Sequence, residues 1–375
     1  MKHVMMTTTA VAALALSLTS AAAQNFNDPA EFAKQLEQLG ATANGPADQP
    51  WMQYIGDGMV ENAGLSTDAP ATVCFSNAGV NNPWRVVGYT NMLEELKDQA
   101  SIGEFIHVDA EGSDDKQIAD INDLLAGGDC DVMIVSPNTT AALTPAVEKA
   151  CEAMPVIVFD RGVNTSCPVT FVHPVGGYGF GIQGANFIKD NVDEGANVLM
   201  LRILPGVDVL ETRYSGGRKV LDDAGLNVVG VEFTDGDNAK TKSIVEDYLM
   251  RDQIDAVWMD AGATAVAAIE AFEDSGYDLP VFVGEDQQDF LLKWQTEGMT
   301  AIAPTYPTYQ WRTAIIAAAR VIEGEAVPGP EWVLPQPTIT QETLADFANP
   351  DMPPLHYAMC GCDGMANYPQ AWGAK

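Results

Sequence analysis

Short apolar runs alternate with stretches of helical periodicity from residue 71 onwards. Ten of these runs are rich in β-branched residues, and we predict that they are strands: ATVCFSN, EFIHVDA, VMIVSP, VIVFD, VTFVH, NVLMLRI, VVGVEF, AVWMD, VFVGED and MTAIAPT. Helix-period stretches lie between them, at residues 82–99, 114–126, 141–153, 238–251 and 263–275 among others. Apolar strands that alternate with helices are typical of parallel sheets covered on both faces. The pattern therefore predicts an α/β protein.

Ten strands are too many for one comfortable parallel sheet, and the glycine-rich string HPVGGYGFG follows the fifth. We therefore predict two doubly wound parallel-sheet domains joined by hinge strands. The predicted first lobe contains residues 71–174 and 306–333, and the second contains residues 175–305 and 334–345. The hinges are expected near His173–Gly177, Thr305–Pro307 and Val333–Pro337. Such sheets bind ligands beyond the carboxyl ends of their strands, so two facing sheets would form a ligand cleft.

The two ends of the chain lie outside this pattern. Residues 1–23 combine a cationic start with a short apolar run and small residues, which predicts a secretory signal peptide cleaved near Ala23. The apolar run is far shorter than the roughly 20 residues that a membrane span needs. Residues 24–70 are predicted to be an N-terminal extension. Residues 346–375 are predicted to be a C-terminal tail, an extended strap pinned to the surface by Cys360 or Cys362.

Charge narrows the range of partners. The chain has 19 Lys and Arg residues against 52 Asp and Glu residues, which gives a formal net charge of −33. Nucleic acid requires a basic face that neutralises phosphates, and this composition disfavours one, so we predict no nucleic-acid partner. The same excess of carboxylates should repel anionic lipid surfaces. A neutral small ligand is expected.

The six cysteines allow up to three disulfides in an oxidising compartment. We predict one bridge among Cys130, Cys151 and Cys167, which lie close together in the chain. A second grouping, His356 with Cys360 and Cys362, could be a metal site. However, zinc sites usually place two to four residues between their cysteines and need four ligands. We therefore predict no metal and no cofactor.

Motifs for catalysis are weak in this sequence. GFGIQG at residues 179–184 fits the dinucleotide fingerprint, but a segment containing proline separates it from the preceding strand, and we interpret it as a crossover with close helix packing. The strings G-x-S-x-G and H-E-x-x-H are absent. Asp160 and Asp286 could serve a glycosidase as paired carboxylates. Because Arg161 follows Asp160, we expect an ionised hydrogen-bond acceptor there instead, and we predict no enzymatic activity.

Two strand ends carry a more specific signal. FSNAGVNNPWR, residues 75–85, leads from a strand through a polar loop into a helix, and VIVFDRGVN, residues 156–164, ends a buried strand in adjacent opposite charges. Together they resemble the periplasmic sugar-binding proteins of ABC importers, the type I ribose- and galactose-binding group. The resemblance extends over roughly residues 71–335 and includes VSPNTTAAL, RYSGGRKVL and GED.

In the first lobe, the resemblance implies that Asn82 hydrogen-bonds the ligand and that Trp84 stacks on the face of a sugar. It implies that Asp160 and Arg161 form a charged fork on adjacent hydroxyls. Elementary chemistry fits these roles, since sugar hydroxyls donate and accept at once while the C–H face packs on an aromatic ring. Arg85 stands where the family often has a second aromatic residue, and we include it among the candidate ligand residues.

In the second lobe, the resemblance implies that Arg213 reaches into the cleft and that Asp286 accepts a further hydroxyl. After the eighth predicted strand the family often has a Gln-Asn-Asp string where this chain has Asp260-Ala261-Gly262, so the usual asparagine is missing and Asp260 is expected to substitute for it. The family often has a glutamine where this chain has Thr305, with Tyr306 beside it. These departures leave the identity of the sugar open.

These features predict a periplasmic, monomeric solute-binding protein. It would capture a monosaccharide, either a pentose or a hexose, or a polyol in the interdomain cleft and deliver it to the permease of an ABC importer. Ligand contacts from both lobes would favour the closed state over the open one. Two alternatives remain at this point: a secreted carbohydrate-active enzyme using paired carboxylates, and a sensory sugar-binding protein for a chemoreceptor.

Overall fold

The structure is a computed structural model that describes residues 27–61 and 70–374. The predicted signal peptide therefore lies outside the described residues. Within those two ranges, no helix combines the length and the apolar character that crossing a bilayer requires.

The described chain contains fourteen strands and eleven α-helices. The strands are β1 (Met59–Val60), β2 (Ala71–Asn77), β3 (Ile102–Asp109), β4 (Val132–Ser136), β5 (Val156–Phe159), β6 (Thr170–Pro174), β7 (Asn197–Arg202), β8 (Asn227–Phe233), β9 (Ala256–Met259), β10 (Val281–Val283), β11 (Ala301–Pro304), β12 (Val327–Pro328), β13 (Glu331–Leu334) and β14 (Thr338–Ile339). The helices are α1 (Pro29–Leu39), α2 (Pro83–Leu96), α3 (Asp114–Gly127), α4 (Thr140–Cys151), α5 (Gly177–Asn191), α6 (Asp208–Asp223), α7 (Asn238–Leu249), α8 (Ala265–Ser275), α9 (Gln288–Glu297), α10 (Gln310–Glu323) and α11 (Leu344–Phe347).

The first lobe is built on a six-stranded parallel sheet in the order β13-β6-β5-β4-β2-β3. Strands β4 and β5 are buried at every position, as their continuous apolar sequences predict. Helix α10 packs on β4, β5 and β6, and it also packs on α2. The sheet therefore has the covered faces expected of a doubly wound domain.

The second lobe is built on a six-stranded sheet in the order β14-β11-β10-β9-β7-β8, which is parallel except for the edge strand β14. The glycines of GFGIQG lie inside α5. A Cβ atom added to Gly181 would lie 2.0 Å from the carbonyl oxygen of Arg213, on α6. These glycines therefore allow α5 and α6 to approach closely, and they form no phosphate-binding loop before the helix.

The chain passes between the two sheets in three described segments, at residues 175–176, 305–309 and 335–337. The predicted fold class, two α/β domains joined by hinge strands, is confirmed. Four strands of the described chain were missed. Two of them, β1 and β12, have two residues each and pair with one another in a separate two-stranded sheet. The other two, β13 and β14, lie in residues 326–339, which are rich in proline and match no strand pattern. Strands β13 and β14 each add a sixth, edge position to one of the large sheets, where proline nearby is tolerated.

Disulfides join Cys74 to Cys130 and Cys151 to Cys167 within the first lobe, so the predicted bridge among the central cysteines is confirmed. The third bridge joins Cys360 to Cys362 inside the C-terminal tail. No disulfide therefore ties the tail to the rest of the described protein. The tail is held by hydrogen bonds and apolar packing instead.

Candidate functional site

A cavity of about 410 Å³ lies between the two lobes at the carboxyl ends of the strands. Of the eight predicted ligand residues, six line this cavity: Asn82, Trp84, Arg85, Asp160, Arg161 and Arg213. Asp260 and Asp286 do not line it. The cavity also contains Glu285, Tyr306 and Tyr357 in its walls.

A wider groove of about 1190 Å³ lies elsewhere in the second lobe. It is lined by segments that precede β7, β9 and β10, such as residues 190–196 and 249–255. It therefore lies at the amino ends of the strands. Because open α/β sheets bind ligands at the carboxyl ends, the interlobe cavity is the better candidate site.

The start of α2 positions two residues of the site. Pro83 occupies the first turn, and the Asn82 side chain accepts a hydrogen bond from the backbone N–H of Arg85 at 2.9 Å, which caps the helix. The Trp84 indole N–H donates to the carbonyl oxygen of Tyr306 at 2.7 Å, in the crossing segment at residues 305–309. Asn82 and Trp84 therefore have structural roles beside any ligand contact.

Asp160 is the most constrained residue of the first-lobe face. It follows β5 with a φ of 69°, a left-handed conformation that is uncommon outside glycine and often marks a binding site. Its Oδ2 atom accepts a hydrogen bond from the Arg85 guanidinium at 2.7 Å. Both side chains of this ion pair are nearly inaccessible, at 5% and 3% exposure. Arg85 therefore holds Asp160 in place at the cavity wall.

Arg85 is committed to the first lobe. Besides Asp160, its guanidinium donates to Asn77 Oδ1 at 3.1 Å and to Ser136 Oγ at 3.3 Å, at the ends of β2 and β4. Burial lowers the pKa of Arg85 to about 10, against the opposing effect of Asp160, so the guanidinium is charged at neutral pH. The Arg85 guanidinium donates most of its hydrogen bonds to other groups of the first lobe, so it contributes to the site mainly by positioning Asp160.

Arg161 is the more available cation. It is about one fifth exposed, and its Nε atom is buried with no hydrogen-bond partner among the described residues. One guanidinium nitrogen donates to the carbonyl oxygen of Asn138, after β4. Because Nε has almost no accessible surface and lies 4.0 Å from Asp160 Oδ2, the exposed remainder of the side chain is the part that faces solvent.

Arg213 lines the cavity from α6. Its guanidinium lies 4.0 Å from the ring centre of Phe180 and 4.8 Å from that of Tyr306. Its NH1 atom donates to the Asp260 carbonyl oxygen at 2.6 Å and pairs with Glu285 Oε1 at 3.3 Å. Aromatic rings and a carboxylate thus fix the guanidinium at the second-lobe wall.

Asp260 lies behind this wall with no exposed surface. Its Oδ1 atom accepts the Ile203 N–H at 2.8 Å, and its Oδ2 atom lies 3.5 Å from Arg202 Nε. Burial raises the pKa of Asp260 to about 7. The expectation that the Asp260 side chain substitutes for a ligand-binding asparagine is corrected: the side chain serves the second lobe internally, and its backbone carbonyl positions Arg213.

Asp286 is also fully buried, and it belongs to the contact with the C-terminal tail. Its Oδ2 atom accepts the Met359 N–H at 2.6 Å. Burial, and secondarily the charge of Glu285, raise the pKa of Asp286 to about 7. Its predicted role as an acceptor of ligand hydroxyls is corrected. The pair Asp160 and Asp286 is also unsuited to glycoside hydrolysis in this cavity, because Asp160 lines it and the fully buried Asp286 does not.

Sequence reasoning missed Tyr357 as a site residue, and it noted Glu285 and Tyr306 only in passing. Glu285 follows β10, so its strand-end position was the available signal. Tyr306 lies in the crossing segment at residues 305–309, and its hydroxyl donates to the Asp160 carbonyl oxygen at 3.2 Å. No local pattern points to Tyr357, because it arrives from a tail far along the chain.

His356, Cys360 and Cys362 do lie together, with possible ligand atoms within 4.8 Å of one another. The two sulfurs are joined in a disulfide, so neither is a thiolate that could bind a metal. Burial lowers the pKa of His356 to about 4, which keeps its imidazole neutral. The group belongs to the packing of the tail.

Comparison with known families decides the class of protein. The periplasmic binding protein domain family matches residues 73–326, which is more than half of the chain. This protein belongs to that family. The prediction of a solute-binding protein that is not an enzyme is thereby confirmed, because the family binds solutes and the related proteins are import binding proteins.

Individual proteins similar to this periplasmic binding protein are also solute-binding proteins. It is 29% identical to the ribose import binding protein RbsB of Bacillus subtilis (strain 168) over 68% of this chain and 83% of that protein. An ABC transporter solute binding protein from Thermobispora bispora is similar in fold, with a TM-score of 0.67, 22% identity, and coverage of 76% and 90%. A Bacillus halodurans C-125 solute binding protein with bound myo-inositol has a TM-score of 0.67 and 20% identity, covering 76% and 99%.

Proposed function

We propose that this periplasmic binding protein captures a monosaccharide or polyol in the interlobe cavity and delivers it unaltered to an ABC importer permease. The observation that carries the proposal is the Asp160–Arg161 pair at the cavity wall. Arg85 holds Asp160 through Oδ2, which leaves Oδ1 to be offered to a ligand, and the neighbouring Arg161 side chain, about one fifth exposed, lines the same cavity. A carboxylate beside a guanidinium matches two neighbouring hydroxyls.

The proposed ligand residues are Asn82, Trp84, Asp160, Arg161 and Arg213. Each hydrogen bond to a charged group contributes about 1.5–3 kcal/mol, so three or four of them support the roughly 8 kcal/mol of micromolar binding. The charges at the cavity include both signs, since Arg161 and Arg213 face Asp160 and Glu285. Such a balance favours a neutral, hydroxyl-rich ligand over an ion.

Closure of the lobes is the proposed signal to the permease. The Thr140 hydroxyl, on α4 of the first lobe, donates to Asp208 Oδ2, on α6 of the second lobe, at 2.7 Å. Contacts of this kind between the lobes, together with those made through the ligand, favour the closed state, and only the difference in affinity between states drives closure. We propose that the protein acts in the periplasm as a monomer.

A thermal-shift screen tests the proposal, with D-ribose, L-arabinose, D-galactose, D-glucose, myo-inositol and xylitol as probes. A ligand present at about 100 times its dissociation constant stabilises the folded state by about 2.7 kcal/mol, so a true ligand raises Tm measurably. Arg161→Ala should abolish the shift. Arg218→Ala should retain it, because Arg218 is a surface residue that pairs with Asp222 on α6.

Recovery of the bound sugar after incubation completes the test. Unchanged sugar in stoichiometric amount supports capture and delivery. Absence of any shift across the panel, or conversion of the sugar, would contradict the proposed function.

A further inference from the structure

The C-terminal tail lies outside the family match, which ends at residue 326. Its first part is attached to the second lobe. The backbone N–H groups of Gln288 and Asp289, at the start of α9, donate to the carbonyl oxygens of His356 at 3.0 Å and Pro354 at 2.8 Å. The tail therefore covers the end of the second-lobe sheet where the ligand cavity begins.

The last part of the tail is attached to the first lobe. The Asn91 side chain, on α2, donates to the Cys360 carbonyl oxygen at 2.9 Å and accepts the Trp372 indole N–H at 2.8 Å. The tail consequently passes from one lobe to the other between Met359 and Cys360. This passage is separate from the three segments that join the sheets.

Asp286 fixes the tail at this passage. Its carboxylate accepts the Met359 N–H at 2.6 Å, and its backbone carbonyl accepts the Ala358 N–H at 2.8 Å. These two bonds hold the backbone at Ala358 and Met359, immediately before the tail passes to the first lobe. Tyr357 precedes Ala358, and its side chain lines the cavity.

Tyr357 connects to the charged groups of the second-lobe wall. It is 4% exposed, and its hydroxyl lies 3.4 Å from Glu285 Oε2, to which it donates. The same hydroxyl accepts a hydrogen bond from Gln287 Nε2 at 3.1 Å. Glu285 in turn pairs with Arg213 at 3.3 Å. The phenol is therefore part of one bonded group with two other cavity residues.

We propose that Tyr357 is a ligand-contacting residue that determines specificity, and that the tail thus supplies part of the binding site. The inference rests on the proposed function of the cavity. The ring offers an apolar surface to the C–H face of a small polyol, and the hydroxyl sets the orientation of the Glu285–Arg213 pair. The tail ring also limits the depth of the cavity, so it selects ligands by size.

Titration calorimetry of two Tyr357 variants against the same sugar panel tests this inference. Tyr357→Leu keeps an apolar side chain but removes the ring and the hydroxyl, and it should weaken the best ligand by roughly tenfold or more and change the order of preference. Tyr357→Phe keeps the ring and should weaken binding by about two- to tenfold, through the lost bond to Glu285. Far-UV circular dichroism and Tm verify that each variant is folded.

Tyr368→Leu is the matched control. Tyr368 lies in the part of the tail on the first lobe, with its ring centre 5.6 Å from that of Trp372, and it does not line the cavity. The affinities of Tyr368→Leu for the sugars of the panel should stay within about twofold of those of the parent. If Tyr357→Leu does not fold, the affinities of Tyr357→Phe still test whether Tyr357 contributes to ligand binding.

The outcomes separate the two claims. Wild-type binding with unchanged affinities and unchanged order in the Tyr357 variants overturns this inference and leaves the proposed function intact. A wild-type protein that binds no sugar of the panel overturns the proposed function and this inference with it.

Discussion

The two lobes present different chemistry to the same cavity. The first-lobe face is polar and charged, with Asn82, Arg85, Asp160 and Arg161 around the single ring of Trp84. The second-lobe face combines the Arg213–Glu285 pair with a run of aliphatic side chains: Ile203, Leu204, Val207, Val209 and Leu210. A ligand held between them would therefore direct hydroxyls to the first lobe and mainly C–H groups to the second.

The fate of the strand-end carboxylates explains this asymmetry. In the first lobe, Asp160 is paired with Arg85 through Oδ2 and still lines the cavity. In the second lobe, the Asp260 carboxylate pairs with Arg202 and accepts the Ile203 N–H, and the Asp286 carboxylate accepts the Met359 N–H of the tail. A strand end with an aspartate is therefore insufficient to predict a ligand contact, because neighbouring segments compete for the carboxylate.

The largest effect is expected from Asp160→Ala. The substitution leaves Arg85 buried without its partner, which should cost about 3–5 kcal/mol of folding free energy, as measured by urea unfolding. It should also weaken sugar binding by about 10- to 150-fold, the value of a charged hydrogen bond, as measured by calorimetry. Sugar affinity within twofold of the parent would show that the first-lobe face does not recognise hydroxyls.

A double variant separates the two consequences. Adding Arg85→Met to Asp160→Ala removes the unpaired charge, so much of the lost folding free energy should return while sugar binding stays weak. Recovery of binding in the double variant would mean that Asp160 acts only by neutralising Arg85.

A smaller effect, confined to stability, is expected from Asp286→Asn. The pKa of Asp286 is raised to about 7 in the folded protein, whereas an unfolded aspartate titrates near 4. The folded state therefore binds the extra proton more tightly, and stability falls as pH rises from about 4 through about 7, by roughly 1.4 kcal/mol per unit of pKa shift. Asp286→Asn removes the contribution of Asp286 to this dependence, while the buried Asp260, whose pKa is also raised to about 7, keeps its own contribution.

Urea unfolding at pH 5.5 and pH 7.5 measures that difference. The parent should lose more stability than Asp286→Asn between the two values. The control, Asp223→Asn, changes an exposed residue on α6 and should follow the parent. Equal slopes for the parent and Asp286→Asn would mean that the pKa of Asp286 is not raised in the folded state.

The smallest effect is expected from Val209→Thr, which adds a hydroxyl at nearly constant shape on the second-lobe face. If C–H groups of the ligand face this side chain, affinity should fall by about two- to tenfold, because the new hydroxyl is desolvated without a partner. Val220→Thr, on the same helix but away from the cavity, is the control. Tighter binding in Val209→Thr would indicate that the ligand directs a hydroxyl at the second lobe.

Much of the fold was predictable because it depends on short-range pattern. All ten predicted strands are present, since apolar β-branched runs between helices can bury themselves only in such sheets. Strands β13 and β14 were not predictable from two to four residues among prolines. Their pairing with β6 and β11 exists only because the sheets already present open edges.

The candidate site divides in the same way. The string around Asp160 and Arg161 was sufficient to predict that both residues lie at the carboxyl end of the first-lobe sheet, where they line the cavity. Local pattern was thus enough to predict the sheets of the two lobes and their polar strand ends. The support that Arg85 gives to Asp160, the burial of Asp260 and Asp286, and the place of Tyr357 in the cavity wall became evident only in the folded chain. These outcomes depend on which groups from distant parts of the chain bond to each buried carboxylate. Because such groups are far apart in the sequence, no local pattern predicts their contact.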